Sequence, residues 1–312
     1  MIMHRGDQTL AIHALKSAAP YIRMYKGKTF IVKAGGGVFG DMAATRVLVE
    51  QIAILHYFGV RVVLVHGGGP QLTELSTALG VPTRMVDGRR VTDQRSIDVT
   101  AMVLNGLINT RVLGICRDLN LDAVGISGVD AGLVRAHKRP PMSVSGGGGE
   151  LIDFGFVGDI DAVDPTVLKK LLDNGLMPVV SPLSADQSGT LLNINADTVA
   201  AAIGAALSAE KLILCTGAPG ILGSVDDPGS LISYTDLRGL KRLREEGRIA
   251  DGMLPKAKAI EDALRGGVRR VHVVSYRAPE GILGEVFTNE GTGTLIVADI
   301  NALSPAEQQS SP

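Results

Sequence analysis

Lys33, Asp197 and Lys256 stand where the surrounding residues suit the handling of anionic oxygens. Lys33 ends the apolar run Thr29-Phe30-Ile31-Val32 and leads through Ala34 into Gly35-Gly36-Gly37. A second run, Val60 to Val65, passes through His66 into Gly67-Gly68-Gly69-Pro70. Glycine lets a backbone approach a ligand closely and frees its amides, and a following helix turns its positive end to the same place. Lys33 reads either as a surface lysine at a strand end or as a point charge over phosphate-binding turns. The apolar run into it favours the second. In Gly252-Met253-Leu254-Pro255-Lys256 a proline marks a first helical turn, where a lysine opposes the dipole and sits better beside an anion. In Asn193-Ile194-Asn195-Ala196-Asp197, Asn195 reads as a helix cap and Asp197 as a favourable first-turn charge. A carboxylate repels phosphate, so the functional reading of Asp197 is a group that holds lysines in place. Arg90, in Asp87-Gly88-Arg89-Arg90-Val91-Thr92, reads either as an exposed turn arginine or as a fork for a carboxylate.

Other chemistries fit less well. Gly35, Gly37 and Gly40 satisfy G-x-G-x-x-G, which alone is a weak dinucleotide signal. A buried cation just before those glycines is costly without an anion, and the second strand ends in His66 rather than an acidic ribose ligand. No G-x-x-x-x-G-K-[ST] occurs. The six histidines, His4, His13, His56, His66, His137 and His272, form no ligand spacing, so no protein-held metal is expected. Lysine plus arginine total 31 against 32 acidic residues, and there is no Trp, which argues against nucleic acid as a partner. No apolar run reaches the roughly 20 residues of a membrane span and no signal-peptide pattern opens the chain, so no membrane partner is expected. Cys116 and Cys215 lie in apolar patterns, expected as buried free thiols in a reducing cytoplasm.

The elements that must position these residues follow in order. Residues 1–9 are expected to be unpinned. A helix is predicted near 10–25, kinked at Pro20. Next come a strand at 29–33, a helix near 42–57, a strand at 60–65, a helix from Pro70, a turn-rich stretch at 81–92, a long helix from Thr92 or Asp93 to about Asn120, and a strand from Ala123 to Ser127. Residues 131–163, broken by Pro140, Pro141 and the loop Gly146 to Gly149, read as hairpins projecting from the sheet. A helix from Asp164-Pro165 ends before Gly175, and a strand from Met177 to Val180 carries an awkward Pro178. A helix from Asn195 to Ala206 and a strand at 211–215 come next. Helices near 236–246 and 253–266, a strand at 270–274, a helix at 279–287 and a strand at 294–298 complete the order. Alternating strands and helices predict an α/β three-layer sandwich around a central, mainly parallel sheet. The expected division is a kinked helix at 1–26, an acceptor-substrate lobe with a dimerisation region at 27–190, a nucleotide-binding lobe at 191–300 and a disordered tail at 301–312.

From about Ala19 to Val297 the sequence resembles the amino acid kinase family. Lys33-Ala34-Gly35-Gly36 matches its K-x-G-G, and His66 to Gln71 its H-G-G-G-P-Q. Gly88 to Thr92 matches G-x-R-V-T, Asn193 to Asp197 matches N-x-N-A-D, and Gly252 to Lys256 matches G-M-x-P-K. The branch it resembles phosphorylates the side-chain carboxylate of N-acetyl-L-glutamate with ATP, in arginine biosynthesis. The resemblance implies that Lys33 and Lys256 stabilise the transferring phosphoryl group while Asp197 orients them. It implies that Gly68, Gly69, Arg90 and Asn193 hold the acylated amino acid, and that Gly35, Gly36 and Gly220 serve ATP, with Mg²⁺ carried by the nucleotide. Two departures stand out. Gly37 replaces the usual polar residue after K-x-G-G, and Thr216-Gly217-Ala218-Pro219-Gly220 replaces T-D-V-P-G.

Gly27-Lys28-Thr29-Phe30, Gly267 to Arg270 and Val274-Ser275-Tyr276 are also similar to the amino-acid-kinase-like domain of acetylglutamate synthase, which binds arginine and is idle in some relatives. No acetyltransferase segment follows residue 298, so synthase activity is not expected. An arginine-binding module without turnover and a dinucleotide enzyme remain as alternatives to the kinase. The family further implies a homodimer or a hexamer built as a trimer of dimers. In arginine-sensitive members a kinked N-terminal helix interlaces the dimers, and arginine binds beside it as an allosteric inhibitor. The helix near 10–25 and the segment Phe287 to Gly293 resemble those parts; the alternative is a helix packed on its own subunit.

Overall fold

The computed structural model describes residues 5–86, 89–143, 151–224, 227, 229–249, 253–288 and 291–302. Its centre is an eight-stranded sheet. In chain order the strands are β1 (Thr29–Ala34), β2 (Arg61–His66), β3 (Ala123–Ser127), β4 (Met177–Ser181), β5 (Lys211–Thr216), β6 (Tyr234–Asp236), β7 (Arg270–Ser275) and β8 (Thr294–Val297). In space they run β6-β8-β7-β5-β1-β2-β4-β3. Only the β7–β8 pairing is antiparallel. β1 therefore lies between β2 and β5, with Thr29–Ala34 paired to β2 and Phe30–Ala34 to β5, so the sheet runs without a break across residue 190.

Alternation along the strands builds two cores. Phe30, Val32, Val62, Leu64, Ile213 and Cys215 pack into one, with the helices α2 (Met42–Tyr57) and α4 (Gln94–Asp118). Ile31, Val63, Val65, Leu212 and Leu214 pack into the other, with the helices α6 (Ala196–Ala206) and α8 (Leu254–Arg265). The period of two therefore puts Lys33 on the α6/α8 face, two residues beyond Ile31. α6 is capped by Asn195, whose side chain accepts from the Asp197 and Thr198 amides, as the sequence predicts.

Several expectations are corrected. Helix α1 spans Arg5–Tyr25, so it begins inside the stretch expected to be unpinned. Residues 81–92 contain a short hairpin, Arg84–Val86 with Arg89–Val91. The long helix is interrupted by a π-helical segment, Met102–Ile108. It is also long and apolar enough to cross a bilayer, against the expectation that no such run exists, yet half of its apolar window is buried inside the protein. The predicted projecting hairpins join a second, four-stranded sheet in the order Leu191–Asn193, Leu183–Ala185, Val134–Lys138, Gly158–Val163. The interior strand β4 tolerates Pro178 because its pairing to β2 begins only at Val179–Leu64, so the missing N–H loses no bond there. Gly88, the Gly146–Gly149 loop, Gly252, Glu290 and the tail from Ser304 lie outside the described residues.

Candidate active site

The carboxyl ends of β1, β2, β5 and β7 all open on one edge of the sheet, and β1 is where the chain order reverses direction. Open parallel sheets bind ligands in the crevice at such a place. Lys33 reaches into it from β1, with only 7% of its surface exposed, and its Nζ lies 2.8 Å from Asp197 Oδ1. Asp197 projects from the first turn of α6. Lys256, in the first turn of α8, donates to both Asp197 oxygens at 3.0 Å. Two ammonium groups thus share one carboxylate in a nearly buried place, leaving one positive charge uncompensated. Burial would raise the Asp197 carboxyl, but the charges and hydrogen bonds of Lys33 and Lys256 overcome it and hold it below the ordinary value. Burial, with the neighbouring Lys33 charge, pulls Lys256 below the ordinary lysine value despite Asp197. An anion entering here would relieve that excess.

The two glycine turns touch each other beside this trio. A Cβ on Gly36 would fall 2.9 Å from the Gly69 amide nitrogen and 2.7 Å from Pro70 Cδ, and Gln71 Nε2 donates to the Gly36 carbonyl at 2.8 Å. Gly35 adjoins the Lys33 ammonium, at 3.8 Å from its would-be Cβ. Gly69 faces open space, whereas Gly68 lies against Leu104 and Ile108 of the π segment. At Gly220 a Cβ would strike Thr294 Oγ1 at 2.5 Å and Leu231 Cδ1 at 2.6 Å, so packing by itself accounts for the glycine.

The Arg90 guanidinium donates to Thr73 Oγ1 (2.8 Å), Thr83 Oγ1 (3.1 Å) and the Gly69 carbonyl (3.3 Å), which ties it to the second glycine turn. Burial lowers its pKa. Asn193 donates through Nδ2 to Thr92 Oγ1 at 3.4 Å, and Thr92 is fully buried.

Sequence reasoning gave no role to two further residues. Gln71 joins the two turns, a tie hinted at only by its place at the end of the H-G-G-G-P-Q motif. Asn109, just past the π segment, donates to the Val179 carbonyl at 3.1 Å and lies 3.4 Å from His66 Nε2. Its side chain fits because Gly125 has no Cβ, which would fall 2.0 Å from Asn109 Oδ1. His66 is fully buried, and desolvation pushes it down to about 4, so it is neutral beneath its glycine turn.

A second polar cluster lies between α1 and the sheet. Lys211 Nζ meets His272 Nε2 at 2.9 Å, and His272 Nδ1 meets Glu285 Oε1 at 2.7 Å. Glu285 Oε2 accepts from the amides of Thr292 (2.6 Å) and Gly293 (3.0 Å). Burial pushes Lys211 down to about 7 and His272 down to about 4. Against its own burial, the bonds from His272 and the amides bring Glu285 down to about 2. A lysine donating to Nε2 leaves the His272 proton on Nδ1, pointed at the carboxylate. Tyr25 of α1 lies under Lys211, 5.0 Å from its ring centroid.

A parallel-sheet switch point lined by lysines and glycine turns defines a phosphoryl-handling α/β protein. Residues 28–275 match the model of the amino acid kinase family, and the chain belongs to that family. It is similar to the acetylglutamate kinase of Myxococcus xanthus, at 48% identity over 94% of this chain and 96% of that one. Two structures of N-acetylglutamate synthase from Neisseria gonorrhoeae resemble it at 28% and 27% identity, each with TM-score 0.79. One is complexed with coenzyme A and N-acetyl-glutamate, the other with coenzyme A and L-arginine. Each covers 92% of this chain, which spans 63% and 65% of the two synthase chains.

Proposed function

We infer that this chain transfers the γ-phosphoryl group of ATP to the side-chain carboxylate of N-acetyl-L-glutamate, forming an acyl phosphate in arginine biosynthesis. The observation that carries this reading is the single carboxylate of Asp197 clasped by Lys33 and Lys256 beside two glycine turns. A glutamate-type carboxylate, pKa near ~4.3, is already a nucleophile at neutral pH, so no general base is needed. The obstacle is the meeting of two anions, which calls for fixed cations and dipoles in a water-poor place.

In this proposal Lys33 and Lys256 neutralise the charge on the phosphoryl group in flight, and Asp197 keeps both ammonium groups aimed. Gly68 and Gly69, Arg90 and Asn193 hold the acceptor. The amides of Gly35 and Gly36 face the phosphates, and the segment at Gly220 borders the nucleotide. Residues 27–190 then serve the acceptor and residues 191–300 the nucleotide. Mg²⁺ would travel on the phosphates and screen their charge. Asp197 is engaged by two lysines, and no cluster of three His, Cys, Asp or Glu suited to a metal occurs among the described residues.

The Lys211–His272–Glu285 cluster is proposed to take arginine as an allosteric inhibitor. Glu285 would receive its guanidinium and Lys211 its carboxylate, with α1 as the wall. The arginine complex of the synthase supports this. A homodimer formed through residues 27–190, with α1 interlacing such dimers into a hexamer, belongs to the same proposal, since Ile12, Leu15 and Met24 of that helix are exposed. Two buried free thiols suit a cytoplasmic location.

The test is a hydroxamate trap for acyl phosphate, run with ATP against a panel of acceptors. N-acetyl-L-glutamate should give trapped product and ADP. ATP left unconsumed with that acceptor would leave the arginine-binding module as the better reading.

A further inference from the structure

Glycine at position 37 is not required by its own backbone, which sits at φ −59°, ψ −35°, a region open to every residue. Nor does Gly217 adopt a positive φ. What a side chain at 37 would meet is Tyr276: a Cβ there would fall 2.8 Å from its hydroxyl oxygen and 3.5 Å from Cζ, so the ring would have to shift. The same hydroxyl lies 3.6 Å from the position a Gly217 Cβ would take, and Arg277 Nη2 lies 3.8 Å from it. The two positions where the chain departs from its family's polar residues are thus roofed by one phenol and one guanidinium.

Both groups come from the turn that follows β7, the strand beyond β5. Tyr276 directly follows β7, and its amide donates to the Thr216 carbonyl at 2.9 Å, which sets the ring beside the end of β5. From there the hydroxyl reaches the turn after β1. The Arg277 guanidinium lies 5.9 Å from the ring centroid, and no carboxylate is paired with it among the described residues. Along the Gly35–Gly37 turn, the Lys33 ammonium stands at one end and the Tyr276 hydroxyl at the other. A phosphate chain laid over that turn would meet a cation at its reacting end and a neutral donor farther along.

We propose that Tyr276 and Arg277 position the phosphate chain of the nucleotide, supplying from β7 the polar contacts that glycine at 37 and 217 cannot. The proposal rests on the kinase reading and adds two nucleotide-positioning residues to it. Tyr276 donates one hydrogen bond to a phosphate oxygen, and Arg277 supplies charge at the mouth of the cleft.

The test measures the binding of a non-hydrolysable ATP analogue by calorimetry, together with KM for ATP and for N-acetyl-L-glutamate. Tyr276→Phe keeps the ring and removes the donor. It should weaken analogue binding and raise the ATP KM by about tenfold, as loss of a bond to a charged group does, with the acceptor KM unchanged. Arg277→Gln should shift the same two quantities in the same direction. Tyr276→Ala opens room at 37, so Tyr276→Ala with Gly37→Asn should regain analogue affinity, whereas Tyr276→Ala with Gly37→Ala should not. Wild-type affinity in Tyr276→Phe, or equal recovery by both double variants, would reduce Tyr276 to a space-filler and overturn the proposal. Analogue binding involves no acceptor, so a wild type that binds it yet fails to phosphorylate acetylglutamate would overturn the functional reading alone.

Discussion

Asp197 carries a heavy electrostatic task for one side chain. Removing it leaves two nearly buried ammonium groups facing each other, and an uncompensated buried charge costs about 3–5 kcal/mol. Asp197→Ala should therefore lower the thermal midpoint as well as activity. Lys33→Ala and Lys256→Ala leave the carboxylate one partner each, so their main effect should be on turnover. The expected loss is about 10²–10³ in kcat, or about 2.7–4 kcal/mol of transition-state stabilisation, read by the hydroxamate trap. Unchanged turnover in either would refute the role given to the pair. Lys33 and Lys256 could be picked out along the chain because each sits in an electrostatically awkward place, whereas Asp197, favourable in its first turn, was singled out only as a group able to hold them. Gln71 and Asn109 could not, since an amide is ordinary in a helix and only its partners, Gly36 and His66, make it part of the cleft.

The elements show where local pattern and tertiary context part. The apolar runs of β1, β2 and β5, the Asn195 cap and the first-turn proline before Lys256 were readable from types and spacing. The π segment at Met102–Ile108 was not, because its apolar residues fit an ordinary helix equally well. The helical stretch after it, with Asn109 and Leu113, fits against β3 because Gly125 has no Cβ, so Gly125→Ala should destabilise the protein by about 1–3 kcal/mol and disturb the His66 turn. The melting temperature and the acceptor KM would report this, and a variant matching wild type in both would contradict it.

The cluster beneath α1 makes a pH prediction. His272 stays neutral down to about 4, whereas unfolded histidine charges near 6.5, so stability falls as pH drops through that interval. Glu285 adds stability that is complete above its ordinary 4.5 and is lost as pH falls toward about 2. Both losses run the same way. Lys211, held at about 7 against an ordinary 10.5, already lowers stability as pH falls through that range. The melting temperature should therefore decline across neutral pH and further below about 6.5, and Glu285→Gln should flatten the decline below about pH 4.5.

Across the molecule as a unit, one continuous sheet brings together groups that lie more than 200 residues apart in the chain, as Lys33 and Lys256 do. Both halves of the chain meet at the β1–β5 pairing, so in the proposed reaction both substrates would lie against one shared sheet. The exposed apolar residues of α1 bear on assembly. A variant beginning at Lys26 should show a smaller particle mass than the full chain in light scattering, and an unchanged mass would argue against interlacing through this helix.

Residue types and spacing were enough to indicate an α/β sheet, the glycine turns, the three charged residues of the cleft and the class of chemistry. That information is local: strand burial, capping and glycine freedom act over a few residues. Strand order, the second sheet, the amide ties of Gln71 and Asn109 and the Tyr276 roof over Gly37 came only with folding. They depend on which distant segments are pressed together, and burial against a shared core, not any neighbouring residue, sets that choice.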